Sequence, residues 1–348
     1  MNVSERIPIH MIKRQSPNIE EWRALYQAAE TFKKAEPWKW LWDADLICVE
    51  NPENGMIGYC SIMGRGGEHY ALGVYLGDNG ISKFDKLMSV GDDIPSYEAI
   101  HLQDCVMCSF DDREFVEKED MKVIKELEMK FRGRNNWPVF RRYEPGFYPW
   151  FITDYECRFL TVALQQALFV ALGIKEGSIV VNFEDSISIL RSINKATNDW
   201  IGEESKINIL VEKYIPVKIN NDILIARVNK LPRDKGQSLE VEVTYSPMPV
   251  RDHGERPYFP RLFVVADRKS GLICDFEMYQ DEKDDASKVI KKLNDFFIKG
   301  VVPGNIFVRN ELLLAILGDF CKLTGIKLTL KEELPMVEEF VDSMSSRM

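Results

Sequence analysis

An α+β protein is the fold class that the sequence predicts, with an antiparallel meander and helices in its N-terminal part and a mixed α/β layer unit in its C-terminal part. Three observations point there. Between residues 45 and 86, short apolar runs are separated by Asn54-Gly55, Gly64-Arg65-Gly66-Gly67 and Asp78-Asn79-Gly80, the turn chemistry of hairpins. After residue 260 the pattern becomes hairpin, helix, strand, helix, strand, helix, an order in which helices cover a mixed sheet. Both parts carry helices with legible starts and stops. The 348 residues suffice for two or three domains, each able to bury its own core.

Asn18 and Glu21 stand at capping-box spacing ahead of Trp22, Leu25, Tyr26, Ala29 and Phe32, so a helix is expected over 18–34. Beyond Pro37, Trp38, Trp40 and Trp42 alternate as one face of a strand would. Strands are expected at 45–50, 57–63, 69–76, 81–84 and 105–110, and a helix at 116–131. Thr153 and Glu156 form a second capping box. Leu160, Leu164, Leu168 and Leu172 follow in register up to Gly173, and this helix is apolar on most sides, so it is expected to be buried.

The middle of the chain reads as strands at 178–183, 223–228 and 239–245, a helix near 186–196 and a polar loop at 232–236. Residues 246–260 carry four prolines, which suits a boundary. The expected division is an N-terminal unit over 1–175, a C-terminal unit over 251–348, and a middle segment over 176–250 that could join either. The C-terminal unit has expected strands at 261–266, 271–279, 305–309 and 326–330. Its helices at 284–299 and 311–324 end at Gly300 and Gly325, and Pro335 opens a last one.

Composition narrows the function classes. A net charge of −10 repels nucleic acid at long range, so such a contact needs a local basic patch, and a protein partner is the better expectation. The longest apolar run, 159–172, holds Gln165 and Gln166 and falls short of the ~20 residues that span a bilayer, so no membrane is expected. No apolar leader is visible at the N-terminus, and the seven cysteines are odd in number and irregularly spaced. Reduced thiols and a cytoplasmic location are the expectation.

Few motifs carry chemistry. Cys105 and Cys108 lie in an expected strand on opposite faces and lack two further metal ligands. The histidines, at 10, 69, 101 and 253, show no helical pairing. Gly64–Gly67 lacks the Lys-Ser/Thr ending of a phosphate loop and is explained by a hairpin turn. The stretch 130–150 is more unusual. Lys130, Arg132, Arg134, Arg141 and Arg142 are interleaved with Trp137, Phe140, Tyr143, Phe147, Tyr148 and Trp150. Basic heads beside flat rings can bind a single-stranded or phosphate-bearing ligand, with Arg132, Arg134, Trp137, Arg141, Arg142, Tyr148 and Trp150 as the candidate residues. The plainer reading is a connector whose rings fill core pockets while its arginines pair with the chain's many acids.

The C-terminal unit offers the sharpest candidate site. Asp267 follows a strand, Asn310 and Glu311 follow the next strand after a helix, and Glu338 and Glu339 lie in the last helix. That order resembles the ribonuclease H-like nucleases and transposases, which hold two divalent metal ions between carboxylates. The resemblance implies Asp267 as the first acid, Asn310 or Glu311 as the second and Glu338 or Glu339 as the third, with Mg²⁺ or Mn²⁺ as cofactor. Asn310 stands where a carboxylate is wanted, and only one of the usual three strands ahead of the first helix pairs convincingly, with 239–245 as the candidate for another.

The chain as a whole resembles a bacterial family of unknown function. Trp38-Lys-Trp40, Gly58 to Gly77, Trp137-Pro138 and Pro145 to Trp150 carry that resemblance in the N-terminal part. Arg261 to Gly271, Pro303 to Ile306 and Thr324-Gly325-Ile326 carry it in the C-terminal part. It implies a two-unit architecture and no chemistry. The leading expectation is therefore a non-enzymatic binding or scaffolding protein without a cofactor. The rivals are a metal-dependent nuclease or phosphodiesterase using Asp267, Glu311 and Glu338, and a single-strand binder using 130–150.

Overall fold

A computed structural model describes residues 15–91, 94–210, 213–251 and 255–345. His10 and His253 lie outside the described residues. The chain is α+β and divides into two compact units, Met1–Pro145 with Pro149–Leu210, and Gly146–Tyr148 with Val211–Met348.

The first unit is built on an eight-stranded sheet, all of it within that unit except the first two residues of its edge strand at 147–150. Its strands are β1 (Ile47–Glu50), β2 (Ile57–Met63), β3 (Ala71–Leu76), β4 (Cys105–Asp111), β5 (Trp137–Glu144), β6 (Phe147–Trp150), β7 (Ile187–Ile193) and β8 (Trp200–Lys206), in the spatial order β6-β5-β4-β3-β2-β1-β7-β8. The helices are α1 (Ile19–Ala35), α2 (Gly77–Val90), α3 (Ser96–Ala99), α4 (Lys118–Glu126) and α5 (Asp154–Glu176). Both capping boxes form, Asn18 with Glu21 on α1 and Thr153 with Glu156 on α5. By length and composition α5 could cross a membrane, but in the fold it is a core helix, with Leu160, Ala163, Leu164, Ala167 and Ala171 fully buried among α1 and the sheet. Cys105 and Cys108 face the two sides of β4 and enter different hydrophobic clusters. Burial pushes the Cys105 thiol up to about 12, so it stays protonated and unreactive.

Several elements depart from the sequence expectation. Pro37 opens a single 3₁₀ turn over Pro37–Lys39, so Trp38, Trp40 and Trp42 turn a corner instead of forming a strand. Residues 81–84 belong to α2. Gly80 is needed there because a Cβ would sit 2.7 Å from the Tyr75 carbonyl carbon and 2.9 Å from the Asp104 carbonyl oxygen, so the glycine marks close helix–strand packing and not a turn. The expected helix near 186–196 is strand β7, which runs parallel to β1 with Cys48 opposite Leu190. The Ser188 hydroxyl fastens β7 by donating to the Leu46 carbonyl at 2.6 Å. Residues 178–183 form no strand, although Ile179, Val181 and Phe183 still pack on the core. The middle segment is shared out, with 176–210 in the first unit and 211 onward in the second, and the proline-rich stretch 246–260 lies within the second.

In the second unit the expected strand at 223–228 is a helix, α6 (Asp222–Asn229), whose Asn221 side chain caps Leu224 N–H at 3.0 Å. The expected polar loop at 232–236 is part of a long strand, β9 (Arg233–Tyr245). Then come β10 (Arg261–Asp267), β11 (Ile273–Tyr279), α7 (Asp285–Lys299), β12 (Val302–Val308), α8 (Glu311–Thr324), β13 (Lys327–Leu330) and α9 (Pro335–Ser345). The sheet order is β11-β10-β9-β12-β13, with β9, β10 and β11 antiparallel, β12 parallel to β9, and β13 parallel to β12. Alternation along central strand β9 sorts its side chains by face. Leu239, Val241 and Val243 join the core with Val289, Leu293 and Phe297 of α7 and Leu313, Leu317 and Phe320 of α8. Glu240 and Glu242 point to the other face, toward α9.

Candidate functional site: a buried carboxylate cluster closed by cations

Glu240 and Glu242 are 0% and 1% exposed, an unusual depth for two acids on one strand. Each is held differently. Glu240 Oε2 accepts the Met336 and Val337 amides at 2.9 and 3.3 Å, the first turn of α9, where the helix dipole favours a negative charge. Its Oε1 has no hydrogen-bond partner among the described residues, and Arg268 Nε stands 3.7 Å away. Burial raises the Glu240 pKa above the usual carboxylate range, against the pull of those amides and Arg268.

Glu242 is closed by the end of β12. Arg309 Nε donates to Oε2 at 3.1 Å, and Asn310 Nδ2 donates to Oε1 at 2.6 Å. Arg309 Nη1 also lies 3.6 Å from Glu338 Oε1, so one guanidinium bridges a central-strand acid and a last-helix acid. Glu338 in turn accepts Leu334 N–H at 3.0 Å, across the start of α9. Asn310 is bound at both ends of its amide. While Nδ2 faces Glu242, its Oδ1 accepts Leu313 N–H at 2.9 Å as the N-cap of α8. An aspartate there could cap the helix but would turn an oxygen toward Glu242, which explains the amide where the ribonuclease H-like pattern wants an acid.

The acids singled out from sequence are not brought together. Asp267 ends β10 opposite Leu239, three residues short of Glu242 along β9, on the order of 10 Å at strand spacing. It closes a turn. Its Oδ1 accepts the amides of Lys269 and Ser270 at 3.0 and 2.8 Å and the Ser270 hydroxyl at 3.0 Å, and its Oδ2 accepts from Gln237 at 3.0 Å. Burial opposes ionisation of Asp267, but these donors outweigh it and hold its pKa below the usual value. Glu311 is exposed in the first turn of α8, and Glu339 is exposed on α9. Only Glu338 reaches the cluster. No group of three or more His, Cys, Asp or Glu side chains among the described residues is placed to hold a metal ion. A guanidinium and an amide donor already occupy the Glu242 oxygens, so this donor set does not fit Mg²⁺ or Mn²⁺.

The candidates in 130–150 are also separated. Arg141 and Arg142 are adjacent on β5 and so point to opposite faces of the sheet, and both are buried. Arg141 holds Asp120 through two bonds at 2.9 and 2.7 Å and Glu117 at 3.1 Å. Arg142 pairs with Asp104, approaches Glu156 at 3.4 Å and donates to the Cys105 carbonyl at 3.1 Å. Arg132 and Arg134 are exposed, and Arg134 lies 3.6 Å from Asp112. Trp137 packs on Phe131 with ring centres 5.9 Å apart, Trp150 meets Phe151 edge-on at 5.3 Å, and Tyr148 stacks on Phe259 at 6.4 Å. These seven residues do not share one face.

Sequence reasoning missed Glu240, Glu242, Arg268 and Arg309. The signal was present in Leu239-Glu-Val-Glu-Val-Thr-Tyr245, whose alternation reads as an ordinary half-exposed strand. Nothing local reveals that both faces of β9 are covered.

A chain of two α+β units, the second of which holds a closed charge cluster, is thus the class that fold and site define. Residues 22–191 match the family model of a domain of unknown function, DUF7309, and residues 224–345 match that of a second, DUF6930. No curated protein matches the chain. A chain in the cryo-electron microscopy structure of a simian T-cell lymphotropic virus intasome in complex with PP2A regulatory subunit B56 gamma is 14% identical over 36% of this chain. The match spans 47% of that chain, with a TM-score of 0.25, too slight a likeness to define a fold.

Proposed function

We propose that the protein is a non-enzymatic binding or scaffolding protein whose C-terminal unit keeps a ribonuclease H-like frame and has lost its metal chemistry. The three antiparallel strands that this frame needs ahead of its first helix are β9, β10 and β11, so the place of the first acid falls on β9 and not at Asp267. The observation that carries the reading is Arg309. Its guanidinium lies between Glu242 and Glu338, the central-strand and last-helix acids, and supplies from within the chain the positive charge that a metal ion would supply. A buried carboxylate with a fixed cation is a structural ion pair, while two-metal phosphoryl chemistry needs open carboxylates.

The test is calorimetric titration of the full chain with Mn²⁺ and Mg²⁺, alongside Glu242→Gln and Asp267→Ala. The expected result is no metal binding that depends on either residue. Binding to the wild type that disappears in Glu242→Gln would overturn the reading and restore the metal-dependent phosphodiesterase.

A further inference from the structure

A second feature of the C-terminal unit lies at the β11 edge of its sheet. β11 is the last strand in the order, and among the described residues no main-chain hydrogen bond runs from Cys274–Met278 to any element other than β10. Beside it is a cleft of about 600 Å³ between β11 and α7. Lys288, Lys291, Lys292 and Lys299 recur on one face of α7 and line it, at spacings of three, four and seven residues. Asp275 and Glu277 of β11 engage two of them: Lys288 meets Glu277 at 2.6 Å, and Lys292 meets Glu277 and Asp275 at 3.2 and 3.4 Å. Lys291 and Lys299 are exposed and have no ion pair among the described residues. On the alternate positions of the same strand, Phe276 and Met278 are 50% and 47% exposed.

We propose that this edge docks an extended segment of a partner protein in which acidic and apolar residues alternate, added to the sheet as a sixth strand beside β11. The inference rests on the binding reading above and names the class of partner. An open strand edge offers main-chain hydrogen bonds to any extended peptide, and side chains beyond the edge choose among peptides. An incoming strand sends successive side chains to opposite faces. One set would meet Lys291 and Lys299, which attract carboxylates, and the other would meet Phe276 and Met278, which bury apolar side chains. The free lysines argue for an acidic segment over a basic one or a second copy of β11, whose Asp275 and Glu277 already have partners.

The experiment is hydrogen exchange of the full chain with two synthetic hexapeptides, one alternating Glu with Val and one alternating Lys with Val. It is repeated on Lys291→Glu/Lys299→Glu, two exposed positions that leave the core untouched. The expected result is slowed exchange of the β11 amides with the Glu-Val peptide alone, and binding weakened about tenfold or more in the double variant, since each reversal replaces an attraction by a repulsion. No protection of β11 at millimolar peptide, equal protection by the Lys-Val peptide, or unchanged binding in the double variant would overturn the proposal. None of these results bears on metal binding at Glu242, so failure of the groove and failure of the non-enzymatic reading are told apart.

Discussion

Two charge clusters, the Arg141–Arg142 network of the first unit and the β9 cluster of the second, solve the same electrostatic problem in opposite ways. In the first cluster the arginines are buried: Arg141 and Arg142 are 8% and 6% exposed and draw acids inward from α4 and neighbouring loops. In the β9 cluster of the second unit the acids are buried and the cations stand at the rim, with Arg309 and Arg268 side chains 27% and 38% exposed over Glu242 and Glu240, while the Arg261–Asp285 pair of the same unit is buried on both sides. A buried arginine with several acceptors is a fixed cross-link. A buried acid under a part-exposed cation is closed off by a group that itself stands partly in solvent. The comparison teaches that a buried charge is held by a buried cation in one cluster and by a rim cation in the other, and that exposure of the cation tells them apart.

Substitutions should separate the two regions, the largest effect coming first. Arg141→Ala strands Asp120 in the interior, and the expected loss is about 3–5 kcal/mol of stability in the first unit, read by urea unfolding. A loss under about 1 kcal/mol would break the comparison, since it would make the network dispensable. Arg309→Ala should cost less, roughly 1–3 kcal/mol, because Asn310 still serves Glu242 and Arg309 itself is part-exposed, so that its removal lets water reach the carboxylate. Adding Glu242→Gln to it should restore most of that loss. Asp267→Asn should cost about 1 kcal/mol, the scale of a turn hydrogen bond, with no effect on metal binding.

The smallest effect sharpens the comparison through pH. The folded-state pKa of Asp267 is lowered, so its stabilisation is present above the ordinary carboxylate range and is lost as pH falls through the folded value. Glu240 behaves in the opposite sense. Its folded-state pKa is raised, so the folded protein binds its proton more readily, and stability declines as pH rises from the ordinary carboxylate range through the folded value. Glu240→Gln should flatten that second slope in denaturation curves taken across mildly acidic pH and leave the first in place.

What the sequence made legible follows from how local each signal is. The capping boxes at Asn18 and Thr153, the helix stop at Gly325 and the opening at Pro335 are written in four or five adjacent residues, and all four form. The 178–228 region is not legible locally because its elements owe their state to distant partners. Ile187–Ile193 is a strand because β1 offers a parallel edge, and Asp222–Asn229 is a helix because its apolar side chains meet the C-terminal core. Asp267 fits the catalytic pattern in the sequence because 261–266 reads as the strand ahead of the first acid, with 239–245 only a candidate for a further one. Once β9 is the central strand, the acids that matter are Glu240 and Glu242, and their partners Arg268 and Arg309 come from 28 and 67 residues away in sequence, counted from Glu240 to Arg268 and from Glu242 to Arg309.

The most direct test of the central claim, that Arg309 and Asn310 stand where metal chemistry would, is to undo them. Mn²⁺ binding would be measured by electron paramagnetic resonance on the wild type and on Arg309→Ala/Asn310→Asp, with Glu242→Gln added as a control. The account predicts no site in the wild type, a Mn²⁺ site in the double variant, and its loss when Glu242 is replaced. A wild-type site that depends on Glu242, or a folded double variant that binds no Mn²⁺, would contradict it.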